Sequence, residues 1–401
     1  MFWTHELRAD DIKNNEIYIF RSSQKGRIRI VNKSTKIIIG IATVAVVGVG
    51  IYAATAHKSS TVNQANAAAK LGLVLDVGGV DDHSFNQSAW EGAKQYAKVN
   101  QLQAGQNKPV TYFTASDHSD LDQNFNLATK NKQYKIVYGI GYSLNQPITK
   151  SAKLNPKQKF VLVDDIVTNR SNVASVMFRS EQSSYLAGVA AATKAQKNNE
   201  KKIGFIGGIH GNIIDAFDAG FEAGVKATDP SLTVEKQYAN SFTDSAKGKT
   251  IAAAMYASGI KTIFAAAGFV GNGAFSEAKA ENSKLIADSK DRLYIIGVDR
   301  DQKSDGAYTS KDGKKETSTL ASSITSVGDG VKNIAETYNK NKTFPGGKTI
   351  AYGLKENGVY LTDSELTAAE TAAVKKAQKA IINGTIKVPN HPKGSQFDQK
   401  F

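Results

Sequence analysis

Cysteine is absent from the 401 residues, so disulfide frameworks, zinc knuckles and thiol catalysis are excluded. The acylated cysteine that anchors many exported binding proteins is excluded with them, and any tether must come from the polypeptide itself. Histidine is scarce: His5, His57, His83, His118, His210 and His391 are the whole set, and no two stand at the spacing of a helical metal site. No metal centre is expected. G-x-S-x-G elbows, P-loops and protein-kinase motifs are missing too, and the glycine-rich "GFIGGIHG" and "AGFVGNG" do not match the dinucleotide fingerprint. The chain therefore reads as a non-enzyme without catalytic residues or cofactor. Arginine-rich stripes are also lacking. The 51 Lys+Arg against 37 Asp+Glu give a net charge of +14, but the lysines are scattered through helix-like stretches such as "AAVKKAQKA". Without basic residues interleaved with aromatics, nucleic acid is not an expected partner.

Long apolar runs are equally rare, with one exception. Residues 37–54 read "IIIGIATVAVVGVGIYAA", uncharged and about 18 residues long, just enough at 1.5 Å per residue to cross a hydrocarbon core. Arg27, Arg29, Lys33 and Lys36 precede it, which by the positive-inside rule sends the rest of the chain to the outer face. The run serves as an uncleaved transmembrane anchor or as the apolar part of an export signal, since "ATA" and "ANA" downstream offer small residues for cleavage. Residues 1–36 show no clear apolar period and are expected to be a cytoplasmic segment or the product of a start upstream of the natural one. Residues 55–69 are small and polar and read as a spacer.

From Leu71 the texture changes. Short β-branched strands recur in "LGLVLDVGG", "KIVYGIG", "KFVLVDD", "KIGFIGG", "TIFAAAG" and "LYIIGVD", mostly leading into helical segments such as "SFNQSAWEGAKQYAKVN". Near-continuous apolar strands alternating with helices predict an α/β fold with parallel sheets covered on both faces. Ligands of such sheets bind beyond the carboxyl ends of the strands, which places Asp76, Gly141, Asp164, Gly207, Gly268 and Asp299 on the candidate edge. Each glycine also suits a tight strand-to-helix turn. A carboxylate ending a buried strand needs a partner, so each aspartate either caps the next helix or receives donors from a ligand.

The block "LGLVLDVGGVDDHSFNQSAWEGAKQYA" resembles the start of the basic membrane protein family of nucleoside-binding proteins. Further blocks occur in family order, among them "NVASVMFRSEQSSYLAGVAAATK", "YANSFTDSAKGKTIAAAMYASG" and "YIIGVDRDQ", from about Leu71 to "AIINGTIKVP". The resemblance implies a type I periplasmic-binding-protein-like fold of two Rossmann-like lobes with a ligand cleft, here preceded by the N-terminal hydrophobic helix. Lobe 1 is expected over 70–176 with about 300–335, and lobe 2 over 177–299 with about 336–395. It further implies that Phe85 and Phe242 clamp a nucleoside base, that Asp76 and Asp299 accept from ribose hydroxyls, and that the backbone at Gly268 approaches the sugar. Asp164 resembles the family aspartate directed at the base, with Asp165 as its rival, and Asn86 is a second polar contact.

One departure stands out. Where the family commonly reads "LTSMVK", this chain has "LASSIT", putting Thr325 at the place of a ligand-facing lysine. Loss of a charge-assisted hydrogen bond costs roughly 1.5 to 3 kcal/mol if nothing substitutes. The resemblance implies an extracytoplasmic receptor that captures a nucleoside, purine by expectation, and passes it to the permease of an ABC importer. The chain would be held at the membrane by its N-terminal helix, or secreted if the signal is cleaved. A membrane-anchored ligand sensor on the same fold is the alternative.

Overall fold

The computed structural model describes residues 68–130 and 132–393, together with three short strands ahead of them in the chain. Those strands, β1 (Tyr18–Arg21), β2 (Ile28–Asn32) and β3 (Thr35–Lys36), pair antiparallel in sequence order. The alternation of Ile28 and Ile30 is the period-2 signal for β2, too short to stand out in the sequence. The apolar run 37–54, expected to anchor the chain or to signal export, lies outside the described residues. Among the described residues no helix is long and apolar enough to cross a membrane.

The first half of the main body alternates β4 (Leu71–Leu75), α1 (Phe85–Val99), β5 (Val110–Phe113), α2 (Leu121–Lys130), β6 (Ile136–Ile140), α3 (Asn145–Leu154), β7 (Lys159–Val163) and β8 (Val173–Phe178). The second half runs through α4 (Ser180–Asn198), β9 (Lys202–Gly207), α5 (Asn212–Thr228), β10 (Thr233–Tyr238), α6 (Ser245–Ala257), β11 (Thr262–Ala266), α7 (Phe269–Asn282) and β12 (Tyr294–Asp299). A hairpin of β13 (Ala307–Thr309) and β14 (Lys315–Thr317) leads to β15 (Thr319–Thr325). The chain closes with α8 (Val327–Asn341), β16 (Thr349–Tyr352), β17 (Val359–Leu361) and α9 (Ala368–Ile382).

Two six-stranded sheets result, in the orders β16-β8-β7-β6-β4-β5 and β10-β9-β11-β12-β15-β17. All their pairings are parallel except β15 with β17. The pleat explains why the strands read as unbroken apolar runs. In β4, Leu71, Leu73 and Leu75 face the cluster made with α1 and α8, while Val74 points to the opposite face, where α2 and α3 pack. The second sheet is covered in the same way, by α4 and α5 on one face and by α6 and α7 on the other. Each fully buried aliphatic side chain contributes roughly 1.5 to 3 kcal/mol.

Sheet membership departs from the expected boundaries. β15 pairs with β12, so residues 319–325 belong to the second sheet, whereas α8 and β16 return to the first and β17 goes back to the second. A strand that ends at the edge facing the other half must cross there. The polar stretch "SSITSVGDG" looks alike on both sides of the crossing, which is why the sequence misplaces it. The three passages are bonded to one another: Arg179 N donates to Tyr352 O at 2.8 Å, Ser326 N to Gly358 O at 2.9 Å, and Leu354 N to Gln182 Oε1 at 2.9 Å.

Helix α4 meets α5 backbone to backbone. A Cβ on Gly224 would lie 2.1 Å from Tyr185 O, one on Gly220 2.2 Å from Glu181 O, and one on Gly188 2.3 Å from Phe221 O. Gly224→Ala is therefore expected to force the helices apart and to cost about 1 to 3 kcal/mol, the usual range for overpacking. Gly211→Ala, at a position with nothing within 4 Å, should lower the thermal midpoint by less, through the weaker N-cap alone. Equal midpoints for both variants would contradict the close packing.

Candidate functional site

The carboxyl ends of both sheets face each other across a cavity of about 410 Å³. Asp76, Phe85, Asn86, Asp164, Phe242, Gly268 and Asp299 all line it, as does Thr325. Of the other strand ends, Gly141 lines the cavity and Gly207 does not, because Gly207 ends β9 beneath the Tyr238 ring. Its neighbour Gly208 has a different task. A Cβ there would lie 2.1 Å from Phe242 Cε1, so the missing side chain is what lets the phenylalanine ring rest on the backbone. Phe242 is fixed further by its carbonyl, which accepts from Phe269 N at 2.9 Å.

At the far end of the sheets from the crossings, Asp76 is held by Val77 N at 2.7 Å and by the Ser143 hydroxyl at 2.6 Å. His118 Nε2 lies 3.3 Å from Asp76 Oδ1. Gly141, at φ 118°, leaves only 2.9 Å between a hypothetical Cβ and Asp76 Oδ2, so a side chain there would displace the carboxylate. Tyr142 sits next on the rim. Its ring meets Phe242 of the other half edge-on, with centroids 6.5 Å apart.

Nearer the crossings, Asp164 and Asp299 end β7 and β12 with the same left-handed backbone, φ 67° in each. Asparagine and aspartate tolerate that conformation better than other residues with a Cβ. Asp165 makes local bonds, accepting from Asn145 Nδ2 and Ile166 N at 2.7 Å each, which leaves Asp164 as the carboxylate on the cavity. Burial drives the Asp164 carboxyl well above the usual range, and the charge of Asp299 adds to the rise. Burial likewise pushes Asp299 up to about 7, against the hydroxyl of Ser84, which donates to Oδ2 at 2.5 Å. The Thr325 hydroxyl is near enough to Asp299 to oppose the rise, yet it makes no hydrogen bond of good geometry.

That serine is available because another residue caps α1. Ser84 occupies the N-cap position, where its hydroxyl would ordinarily bond the first turn. Asp82 does this instead, accepting from Ser84 N at 2.9 Å, Asn86 N at 2.8 Å and Gln87 N at 3.0 Å. Neighbouring groups also bridge the halves. Asn272 Nδ2 donates to Asp82 O at 3.1 Å, Gln302 Nε2 to His83 O at 3.0 Å, and His83 Nδ1 lies 3.1 Å from Asp305 Oδ1.

Ser84, Asp82, Tyr142 and His118 are site residues that the amino-acid sequence does not single out. Tyr142 carries a usable signal, an aromatic directly after a strand-ending glycine. Ser84 and Asp82 sit in the block "DDHSFNQ", where capping accounts for both without any ligand.

The raised carboxyls make stability fall as pH rises. Asp299 binds its proton more tightly in the folded chain than in the unfolded one, so its contribution is full below about 4 and is lost by about 7. Glu181, also buried and pushed up to about 7, acts in the same window. Asp299→Asn should flatten the decline in thermal midpoint between about pH 4 and 7.5 without abolishing it. An unchanged slope would show that Asp299 titrates normally.

Known proteins share both this fold and this sequence. A family profile of ABC transporter substrate-binding proteins, described as PnrA-like, matches residues 69–392. An ABC transporter nucleoside-binding protein, BmpA of Lactococcus lactis subsp. cremoris, is 44% identical over 357 residues, covering 88% of this chain and 99% of that protein. Basic membrane protein A of Borreliella afzelii is 32% identical over 338 residues, covering 83% and 95%. Among solved structures, an ABC transporter solute-binding protein from Aeropyrum pernix superposes with a TM-score of 0.66 at 23% identity, covering 79% of this chain and 92% of that one, which shows the shared fold. Fold and relatives are those of solute-binding proteins rather than enzymes, and the chain belongs to the PnrA-like family of ABC transporter substrate-binding proteins.

Proposed function

We propose that this chain captures a nucleoside, preferably a purine, between its two halves on the extracytoplasmic side of the membrane and delivers it to an ABC importer. The observation that carries the reading is the convergence of Phe85, Phe242 and five cleft aspartates, Asp76, Asp82, Asp117, Asp164 and Asp299, on one cavity. Its volume of about 410 Å³ falls within the roughly 300–1,000 Å³ of small-molecule sites. Aromatic faces suit a flat base, each worth roughly 1 to 3 kcal/mol in stacking, and carboxylates suit sugar hydroxyls. The relative named for nucleoside binding supports the same ligand class.

Delivery is a consequence of the bonds across the cleft. Ligand contacts to both halves favour the closed arrangement, and a transporter that reads closure must then break those bonds to release the ligand. The anchor or export signal at 37–54 is what would place the chain outside the cytoplasm.

Calorimetric titration of the chain from Ala67 onward with adenosine, guanosine, inosine, uridine and ribose tests the ligand class. Nucleosides should bind far below millimolar, purines most tightly, and ribose weakly. Phe242→Ala should weaken nucleoside binding at least about tenfold, equivalent to 1.4 kcal/mol, with the fold intact. Tight ribose binding without nucleoside binding would overturn the assignment.

A further inference from the structure

The cavity has an excess of hydrogen-bond acceptors and no fixed positive charge. Among the described residues that line it there is no lysine or arginine, and the one basic side chain is His118, beside Asp76. Asn86 and Thr325 are 4% and 2% exposed, and Asn86 Oδ1 and Thr325 Oγ1 have no hydrogen-bond partner. The Asp164 carboxylate accepts no hydrogen bond from the described residues, while Asp299 has the single bond from Ser84. A buried acceptor left without a donor is destabilising, and more so when charged. The topology sharpens the imbalance, because Asp164 and Asp299 come from opposite sheets and meet beside Thr325 with only acidic neighbours, Asp82 and Asp165.

We infer that the site prefers a cationic ligand, a nucleoside whose sugar carries an ammonium group, over its neutral counterpart, with the ammonium lodged between Asp164 and Asp299 beside Thr325. The inference rests on the nucleoside reading and adds the charge of the ligand to it. An ammonium brings three donors to acceptors that lack them and supplies the charge that the wall does not. Burial, with the acidic neighbours adding to it, already makes both carboxyls hold their protons more tightly than usual. When the ammonium enters, a carboxyl proton leaves to solvent and the ligand keeps its own, so proton release accompanies binding. Thr325 sets the preference: its short neutral side chain leaves the room and the charge to the ligand, and a lysine there would take both.

Titration calorimetry of the full chain at about pH 6.5, within the range where the raised carboxyls still hold protons, compares adenosine with 3′-amino-3′-deoxyadenosine and 5′-amino-5′-deoxyadenosine. At least one amino analogue should bind about fivefold or more tighter than adenosine, with an enthalpy that shifts with the ionisation enthalpy of the buffer, as proton release requires. Thr325→Lys should reverse the order. Should that variant fail to fold, Asp164→Asn removes one charge at constant shape and should bring the affinity ratio toward one. Both amino analogues binding no tighter than adenosine, or a ratio untouched by a folded variant, would overturn the inference while leaving the nucleoside reading in place. Failure of all three ligands to bind would remove the nucleoside reading and the inference together.

Discussion

Parallel pairing is the constraint on which the molecule depends. Strands that run the same way must all end on the same edge, so each sheet presents its carboxyl ends as one continuous rim. Two such rims turned toward each other make a cleft whose walls are strand ends and helix starts, carrying short polar and acidic side chains. The apolar interiors of the sheets supply rigidity, and the rims supply chemistry. Asp76, Asp164 and Asp299 lie at corresponding places on this plan, one residue past or at the end of a buried strand.

Much of this can be read from the amino acids alone. Unbroken runs such as Leu71–Leu75 and Ile136–Ile140 disclose strands buried on both faces, and the aspartates and glycines closing them disclose the rim. Family resemblance supplies Phe85, Phe242 and Asn86, which no periodicity would single out. Other parts are hidden for physical reasons. The second crossing, at Ser326, separates two equally polar stretches, so nothing local marks it. Gly208 and Gly207 are indistinguishable as letters, and only their three-dimensional neighbours show that one supports Phe242 and the other lies under Tyr238. Ser84 is concealed by its own position, since a serine at a helix start already has an ordinary explanation.

The division of labour between Asp82 and Ser84 links local structure to function. A single carboxylate bonds the N-cap amide and two amides of the first turn of α1, and the serine it relieves can reach the opposite half. Asp82 is itself buried, and the desolvation that raises its proton affinity is opposed by those three amides. Helix capping and lobe contact therefore share one short segment of chain, and a change to either is felt by both.

The same segment has a mechanical meaning. Among the described residues, the side-chain hydrogen bonds across the cleft fall on three consecutive residues, Asp82 through its carbonyl, His83 through carbonyl and ring, and Ser84 through its hydroxyl. The halves are held less like a zip, opened tooth by tooth, than like a purse with one clasp. Because the three residues are covalently continuous, a shift in one is passed to the others, while the Tyr142 and Phe242 rings meet separately on the rim.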